Sequence, residues 1–160
     1  MSSNSFYIEQ IKLTNYKNYA FKAVDFCKKL NFIVGNNGIG KTNLLDAIYY
    51  SCFTKSYLTS SDLMVANFEA AFFRIETTFL HHQQHQILEI KYPKQEKKEV
   101  FINKAKIERQ ADFIGKFPCV IITPDDNQLI LGGSEIRRKF IDSTLCQFST
   151  EYLQNLLTYN

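Results

Sequence analysis

The sequence predicts an α/β fold in which a glycine-rich loop joins a buried strand to a helix. The run "LNFIV", residues 30 to 34, is short and continuously apolar, as expected of a strand covered on both faces. "GNNGIGK" interrupts it with three glycines, and "TNLLDAIYYSCF" then resumes at helical spacing. We therefore expect a core in the order strand, loop, helix.

Segments around this core predict an antiparallel β-subdomain. Residues 6 to 13 and 20 to 26 partly alternate apolar and polar side chains, and "TNYKNY" between them supplies turn residues, which predicts a hairpin. Three further β-like runs follow an irregular stretch at 54 to 70 that has a short helix near Leu63. They span residues 71–80, 85–92 and 99–107, and "NK" turns the last of them into a second hairpin.

The last part of the chain predicts one more strand and a long helix. "FPCVIITP", residues 117 to 124, reads as a buried strand that its final proline ends. Ser134 is the expected N-cap of a helix that continues to the last residue without a stop signal. The missing stop signal predicts that the chain is a fragment of a longer protein.

Composition sets broad limits on what the protein is. A length of 160 residues with 45% hydrophobic content suffices for one globular domain, and a net charge of +3 permits a polyanionic partner without requiring one. The four cysteines are far apart and predict buried thiols instead of a zinc or redox motif. The amino terminus has no signal-peptide pattern, and no apolar run reaches membrane length, so we expect a soluble cytoplasmic protein without membrane contact.

The glycine-rich loop matches G-x-x-x-x-G-K-[ST] at every fixed position. In this pattern, small residues let backbone N–H groups converge on phosphate oxygens, Lys41 brings a positive charge to the β and γ phosphates, and Thr42 offers a hydroxyl to Mg²⁺. Nucleotide binding is therefore predicted for Gly35, Asn36, Asn37, Gly38, Ile39, Gly40, Lys41, Thr42 and Asn43. Lys41 is also the one candidate catalytic residue, and Thr42 the one candidate metal ligand.

Catalysis would require a further carboxylate near Mg²⁺. Asp125, in "CVIITPDD", is a candidate Walker B residue, and it would make the protein a self-sufficient P-loop phosphotransferase or NTPase. The alternative, which we favour, is that "PDD" caps a short helix through "NQLIL". A guanine-specifying N-K-x-D motif is not found in the expected order.

Several segments together resemble the amino-terminal part of the RecF family of bacterial recombination mediators. They are "IKLTNYKNY", "NFIVGNNGIGKTNLLDAIYY", "KSYLTSSD" and "ITPDDNQLILGGSEIRRKFID". The resemblance implies an ATP-binding-cassette fold related to SMC proteins. It also implies an ATP-dependent homodimer that binds DNA at gaps, works with other recombination mediators to load recombinase, and serves replication, repair and the SOS response.

The resemblance also carries site residues and a division of the chain. It implies that Lys17 and Asn18 lie beside the ATP. The predicted parts are a P-loop core at about 1–55 and 117–133, a β-rich insert at about 71–108, and the start of a helical region at 134–160. The family's signature motif, Walker B Asp-Glu pair and switch histidine have no match here. We therefore expect a weak DNA-dependent ATPase for the intact protein and no activity for this part alone.

Three charged clusters leave alternatives open. The lysine-rich hairpin, "KYPKQEKKEVFINKAKIER" at residues 91 to 109, could track DNA phosphates or be a solvated edge, and the second is favoured for any single lysine. Arg137, Arg138 and Lys139, near a helix start that disfavours cations, could bind an anionic partner or form internal salt bridges. His81, His82 and His85 predict a polar turn more than a metal site.

Overall fold

The computed structural model describes residues 6–81 and 83–159, with the side chain of residue 110 excepted. The chain forms two compact units, the first ending at Glu108 and the second beginning at Arg109. The prediction that residues 117–133 share a core with residues 1–55 is not decided by this division and stays a prediction.

The first unit is built on an antiparallel sheet of six strands in the order β2-β1-β3-β4-β5-β6. The predicted hairpins are confirmed, because residues 10–16 pair antiparallel with residues 19–25, and residues 101–102 pair antiparallel with residues 105–106. Asn103 and Lys104 both have positive φ, as a tight two-residue hairpin turn requires. The strands are β1 Phe6–Tyr16, β2 Tyr19–Asp25, β3 Phe72–His81, β4 Gln84–Pro93, β5 Glu99–Ile102 and β6 Ala105–Lys106.

Helix α1, Lys41–Phe53, packs on the apolar face of this sheet. Its Tyr50 ring meets the rings of Tyr16 and Phe73 edge-on, at centroid distances of 6.2 and 5.5 Å. The hydroxyls of Ser51 and Thr77 are 2.7 Å apart within the same buried layer. The helix ends at Phe53 because Thr54 turns to a φ of 53°. A short 3₁₀ helix, Asp62–Met64, lies in the irregular stretch, as predicted.

Both predicted buried strands are wrong. Residues 30 to 34 and 117 to 122 have no regular secondary structure, and they join no strand ladder in the described parts of the chain. Phe32 and Val34 are 80% and 86% exposed, and Ile122 is 85% exposed. A continuously apolar run favours a strand that is paired with neighbours on both sides, and within the described residues neither segment is paired with any of the six strands.

The second unit consists of short helices. The 3₁₀ turns Gln110–Asp112 and Pro124–Asn127 precede helix α2, Gln128–Leu131. The predicted long helix is wrong: it is interrupted at Ser149, whose backbone is extended, and this residue separates α3, Ser134–Phe148, from α4, Thr150–Tyr159. Ser134 is not the N-cap but the first helical residue, because Gly133 holds the cap position. Cys52 and Cys146 are buried as predicted, whereas Cys27 is exposed.

Candidate functional site

The phosphate loop, residues 35 to 42, follows the unpaired apolar segment 30–34 and leads into α1. Gly35, Gly38 and Gly40 all have φ values between 83° and 151°, a region that residues with a Cβ rarely adopt. Gly40 is also closely surrounded, since a Cβ there would lie 2.7 Å from the hydroxyl oxygen of Tyr19. The fixed glycines of the motif are therefore required by backbone conformation, and Gly40 also by space.

The loop exposes the amino-terminal end of α1 to a cavity of about 390 Å³. The first backbone N–H groups of a helix have no intrahelical acceptor, and the helix dipole adds partial positive charge at the same end. This end of the helix therefore favours an anion such as a phosphate. The cavity is lined by Asn37, Gly38, Gly40, Lys41, Thr42 and Asn43, and so the structure brings most of the predicted loop residues together.

Lys41 brings the positive side chain to this cavity. Its ammonium donates hydrogen bonds of 2.8 and 2.9 Å to the carbonyl oxygens of Gly35 and Asn36. These bonds curl the side chain back over the loop, so that charge and helix end converge. A phosphate oxygen would add a charge-assisted hydrogen bond to this ammonium.

Thr42 also lines the cavity, and its hydroxyl is the group that the motif assigns to Mg²⁺. Magnesium keeps several waters and binds few protein oxygens when a nucleotide supplies the others, so one hydroxyl fits the need. No group of three or more His, Cys, Asp or Glu side chains able to hold a metal occurs in the described residues. If Mg²⁺ binds, it would therefore be held jointly by Thr42 and the nucleotide.

A second cavity, of about 570 Å³, also contacts Lys41. Its wall includes Val24, Ile33, Val34 and Leu44, so it is mostly apolar. An apolar wall disfavours a triphosphate. The smaller cavity over the helix end is therefore the candidate phosphate site, although Lys22 and Lys41 also line the larger cavity.

The turn between β1 and β2 supports the loop from the side. The amide nitrogen of Asn18 donates to the carbonyl of Ile39 at 3.2 Å, and its oxygen accepts a 2.8 Å bond from the side chain of Asn43. The Tyr19 hydroxyl donates to the carbonyl of Gly40 at 3.0 Å. Asn18 therefore lies beside the phosphate loop, and Tyr19, which sequence reasoning missed, does the same.

Lys17 occupies a different position. Its ammonium lies 2.7 Å from Oδ2 of Asp46, a carboxylate of α1 that is 1% exposed. Burial alone would raise the pKa of Asp46, but hydrogen bonds from Lys17, Tyr16 and Ser56 and the charge of Lys17 outweigh it, so the pKa lies below its usual value. Asp46 is thus a buried, ionised hub, and the predicted contact of Lys17 with a nucleotide stays a prediction.

Asp46 was missed by the sequence analysis, although one signal was available. It is a carboxylate on a helix whose neighbouring positions Ala47 and Tyr50 are buried and apolar. A buried charge of this kind needs partners, and those partners come from distant segments. The local spacing could identify Asp46 as a carboxylate at a buried helix position, but it could not identify the donors that contact it.

The Asp125 hypothesis receives no support from the second unit. Asp125 is exposed, and Asp126 forms a capping box with Thr123 at the start of the Pro124–Asn127 turn. The side chain of Asp126 accepts a hydrogen bond from the Thr123 backbone N–H. The favoured expectation, that "PDD" caps a short helix, is confirmed.

The charged clusters are largely paired within the protein. Lys98 pairs with Asp62, Lys106 with Glu99 and Lys91 with Glu89. Lys94 donates to the carbonyls of Asn67 and Phe68 instead. Most cations of the lysine-rich hairpin therefore have partners within the protein, and these contacts do not decide between a DNA-tracking surface and a solvated edge.

The cations that open α3 are also engaged internally. Lys139 forms a 2.7 Å ion pair with Glu135, and Arg137 donates to the carbonyl of Gly132 at 2.8 Å. In the histidine cluster, Nε2 of His85 lies 2.8 Å from a carboxylate oxygen of Glu9, and His82 lies outside the described residues. Internal bonds therefore account for these side chains.

A family model described as "AAA domain" matches residues 10–159 of the chain. The chain belongs to the AAA-domain family. Within the described residues, no helix is both long enough and apolar enough to cross a membrane.

Curated relatives named DNA replication and repair protein RecF match nearly the whole chain. One from Porphyromonas gingivalis is 41% identical over 156 residues, covering 96% of this chain and 42% of the relative. One from Clostridium perfringens is 36% identical over 157 residues, covering 96% and 43%. The chain spans about two fifths of the length of these relatives and corresponds to their amino-terminal part.

Solved structures agree on the fold. A structure of the recombination mediator protein RecF-ATPrS in the RecFOR pathway matches with a TM-score of 0.92 at 28% identity, covering 99% of this chain and 43% of that chain. An SMC ATPase structure matches with a TM-score of 0.69 at 18% identity, covering 86% and 98%, which shows the fold alone. The ATP-binding-cassette-like P-loop fold with an antiparallel β-subdomain is confirmed.

Proposed function

We propose that the chain is the ATP-binding part of a RecF-like DNA replication and repair protein. The observation that carries the proposal is the convergence of the α1 amino terminus, the positive-φ glycines and the Lys41 ammonium on one cavity. The similarity to proteins named RecF, including a solved structure of RecF-ATP, supports ATP as the nucleotide. Mg²⁺ would bind between Thr42 and the phosphates.

We propose further that the intact protein binds DNA at gaps in an ATP-dependent way, dimerises on ATP and acts in the cytoplasm with other mediators to load recombinase. Similarity to RecF proteins and to an SMC ATPase supports this. Lys17 remains a candidate nucleotide contact on the same ground. None of the described residues that line the phosphate cavity is acidic, so we expect little or no ATP hydrolysis by this chain alone.

The first experiment measures binding of a fluorescent ATP analogue with Mg²⁺ to the wild type, Lys41→Ala and Lys28→Ala. Lys28 is an exposed lysine outside the loop and serves as the matched control. Lys41→Ala should weaken binding at least about tenfold, because it removes a charge-assisted hydrogen bond to phosphate. Equal weakening by both variants, or no binding by the wild type, would contradict the proposal.

The second experiment measures binding of gapped duplex DNA by the intact protein as a function of salt concentration, with and without ATP. Phosphate contacts predict an affinity that falls steeply as salt rises. ATP should strengthen this binding in the wild type but not in Lys41→Ala. An equal DNA affinity with and without ATP would contradict the proposal that ATP binding controls DNA binding.

A further inference from the structure

We propose that Asp46 is a positioning residue of the phosphate loop and acts through residues 17 to 19, which are the β1–β2 turn together with the first residue of β2 and are called the turn below. The inference deepens the proposed function and rests on it for its effect on ATP. Its effect on the loop itself can be measured without any nucleotide. Asp46 does not line the phosphate cavity, so its influence must pass through other residues.

Asp46 gathers donors from three parts of the chain. The Tyr16 hydroxyl and the Lys17 ammonium, at the end of β1 and in the turn, each lie 2.7 Å from Oδ2. The Ser56 hydroxyl lies 2.9 Å from both carboxylate oxygens. The backbone N–H groups of Tyr57 and Leu58 donate to Oδ1 at 2.7 and 3.3 Å. One buried carboxylate thus ties the turn and the segment after α1 to the middle of that helix.

The same turn contacts the phosphate loop on its other side. Asn18 and Tyr19, the two residues after Lys17, accept or donate the three hydrogen bonds that reach Ile39, Gly40 and Asn43. Asp46 therefore holds the turn, and the turn holds the loop at the point where it becomes α1. Displacing the turn would remove all three bonds together.

The turn needs such an anchor because its backbone is not in a relaxed conformation. Asn15 and Lys17 have φ values of 53° and 49°, which cost free energy for residues that carry a Cβ. The backbone N–H of Lys17 donates to the carbonyl of Val65 at 2.7 Å, which is a second tether. The ion pair with Asp46 adds a side-chain tether at the same residue.

A second network on α1 provides a matched control. Four residues after Asp46, the Tyr50 hydroxyl donates to Oδ1 of Asp62 at 2.6 Å, and the Lys98 ammonium lies 2.8 Å from Oδ2. The chemistry repeats that of Tyr16, Asp46 and Lys17. Residues of the phosphate loop take no part in the bonds of this second network.

The first test measures amide hydrogen exchange without nucleotide in the wild type, Asp46→Asn and Asp62→Asn. If Asp46 positions the loop, Asp46→Asn should speed exchange at residues 17–19 and 35–43 by about tenfold, while Asp62→Asn leaves those amides within twofold of wild type. Equal exchange at the loop in both variants would overturn the proposal. If Asp46→Asn does not fold, Lys17→Met removes the tether alone and must show the same pattern.

The second test is a double-mutant cycle on ATP affinity with Asn18→Ala and Asp46→Asn. Since both act along one route, the double variant should bind ATP no more weakly than the weaker-binding single variant, within about twofold. Additive losses would overturn the route through the turn. If the wild type binds no ATP, the proposed function fails, and the exchange experiment still decides the role of Asp46.

Discussion

The ammonium of Lys17 and the carboxylate of Asp46 lie 2.7 Å apart, with only 13% and 1% of the two side chains exposed. This buried ion pair joins the turn of the first hairpin to the helix that follows the phosphate loop. The Tyr16 hydroxyl donates to the same carboxylate. Burial, and to a lesser extent the Asp46 charge, raises the pKa of Tyr16 above its usual range, so this hydroxyl keeps its proton. The helix that follows the phosphate loop is thus connected to the first hairpin by a charged contact.

Asp46→Ala should be strongly destabilising. The change would leave Lys17, Tyr16 and the Ser56 region without their shared acceptor in a buried place. Breaking a buried pair in this way typically costs about 3–5 kcal/mol. Urea unfolding at neutral pH measures the loss, with Lys28→Ala as the exposed control; a loss no larger than that control's would contradict the role of the hub.

The contribution of Asp46 should depend on pH in one direction. Its folded pKa lies below the unfolded value of about 3.9, so its stabilisation is complete above that value and disappears as pH falls through the folded pKa. The difference in unfolding free energy between wild type and Asp46→Asn should therefore be large at pH 7 and shrink below about pH 4. A difference that stays constant between pH 7 and pH 3 would refute the assignment.

Gly40→Ala should destabilise the protein more than Gly38→Ala. Both glycines have positive φ, but an added Cβ at Gly38 meets nothing within 4 Å, while at Gly40 it approaches Tyr19 and Asn18 to within 2.9 Å. The crowding should add about 1–3 kcal/mol to the cost of the backbone conformation. Thermal unfolding compares the stability of the two variants directly. Equal losses of stability would show that Asn18 and Tyr19 move away from the added Cβ at little cost.

Comparing Asp126→Ala with Asp125→Ala should show whether the Asp125–Asp126 pair caps a helix or takes part in catalysis. Asp126 completes the capping box with Thr123, so its removal should cost about 1 kcal/mol of stability, whereas the exposed Asp125 should cost little. Neither change should alter ATP affinity. Loss of Mg²⁺-dependent nucleotide turnover in Asp125→Asn would instead support the self-sufficient phosphotransferase.

Lys98→Met should lower stability without changing ATP affinity. The Lys98 ammonium bonds to Asp62, to the Tyr50 hydroxyl and to the carbonyl of Thr54 at the end of α1. Losing these charge-assisted bonds should cost about 1–3 kcal/mol. Calorimetric unfolding measures the loss; a parallel change in ATP affinity would show that the second network also reaches the phosphate site.

Sequence periodicity predicted the paired strands well and the unpaired ones badly. Alternation located β1, β3 and β4 because each has one buried and one polar face within the six-stranded sheet. Residues 30 to 34 and 117 to 122 have the apolar composition of covered strands, yet Phe32, Val34 and Ile122 are 80–86% exposed and only Phe117 among their large apolar side chains is fully buried. An apolar composition indicates that a segment favours a buried environment. It does not show whether a neighbouring strand is present to pair with that segment.

The sequence by itself determined the phosphate loop. Its chemistry is local: the glycines, the helix end and Lys41 follow one another within eight residues, so the motif alone predicts their convergence. Only the tertiary structure decided that Lys17 pairs with Asp46 and that Asn18 and Tyr19 support the loop. These contacts join residues 21 to 29 positions apart, so they form only when the helix packs on the sheet. Packing buries the Asp46 carboxylate, and a buried charge is stable only with polar partners beside it.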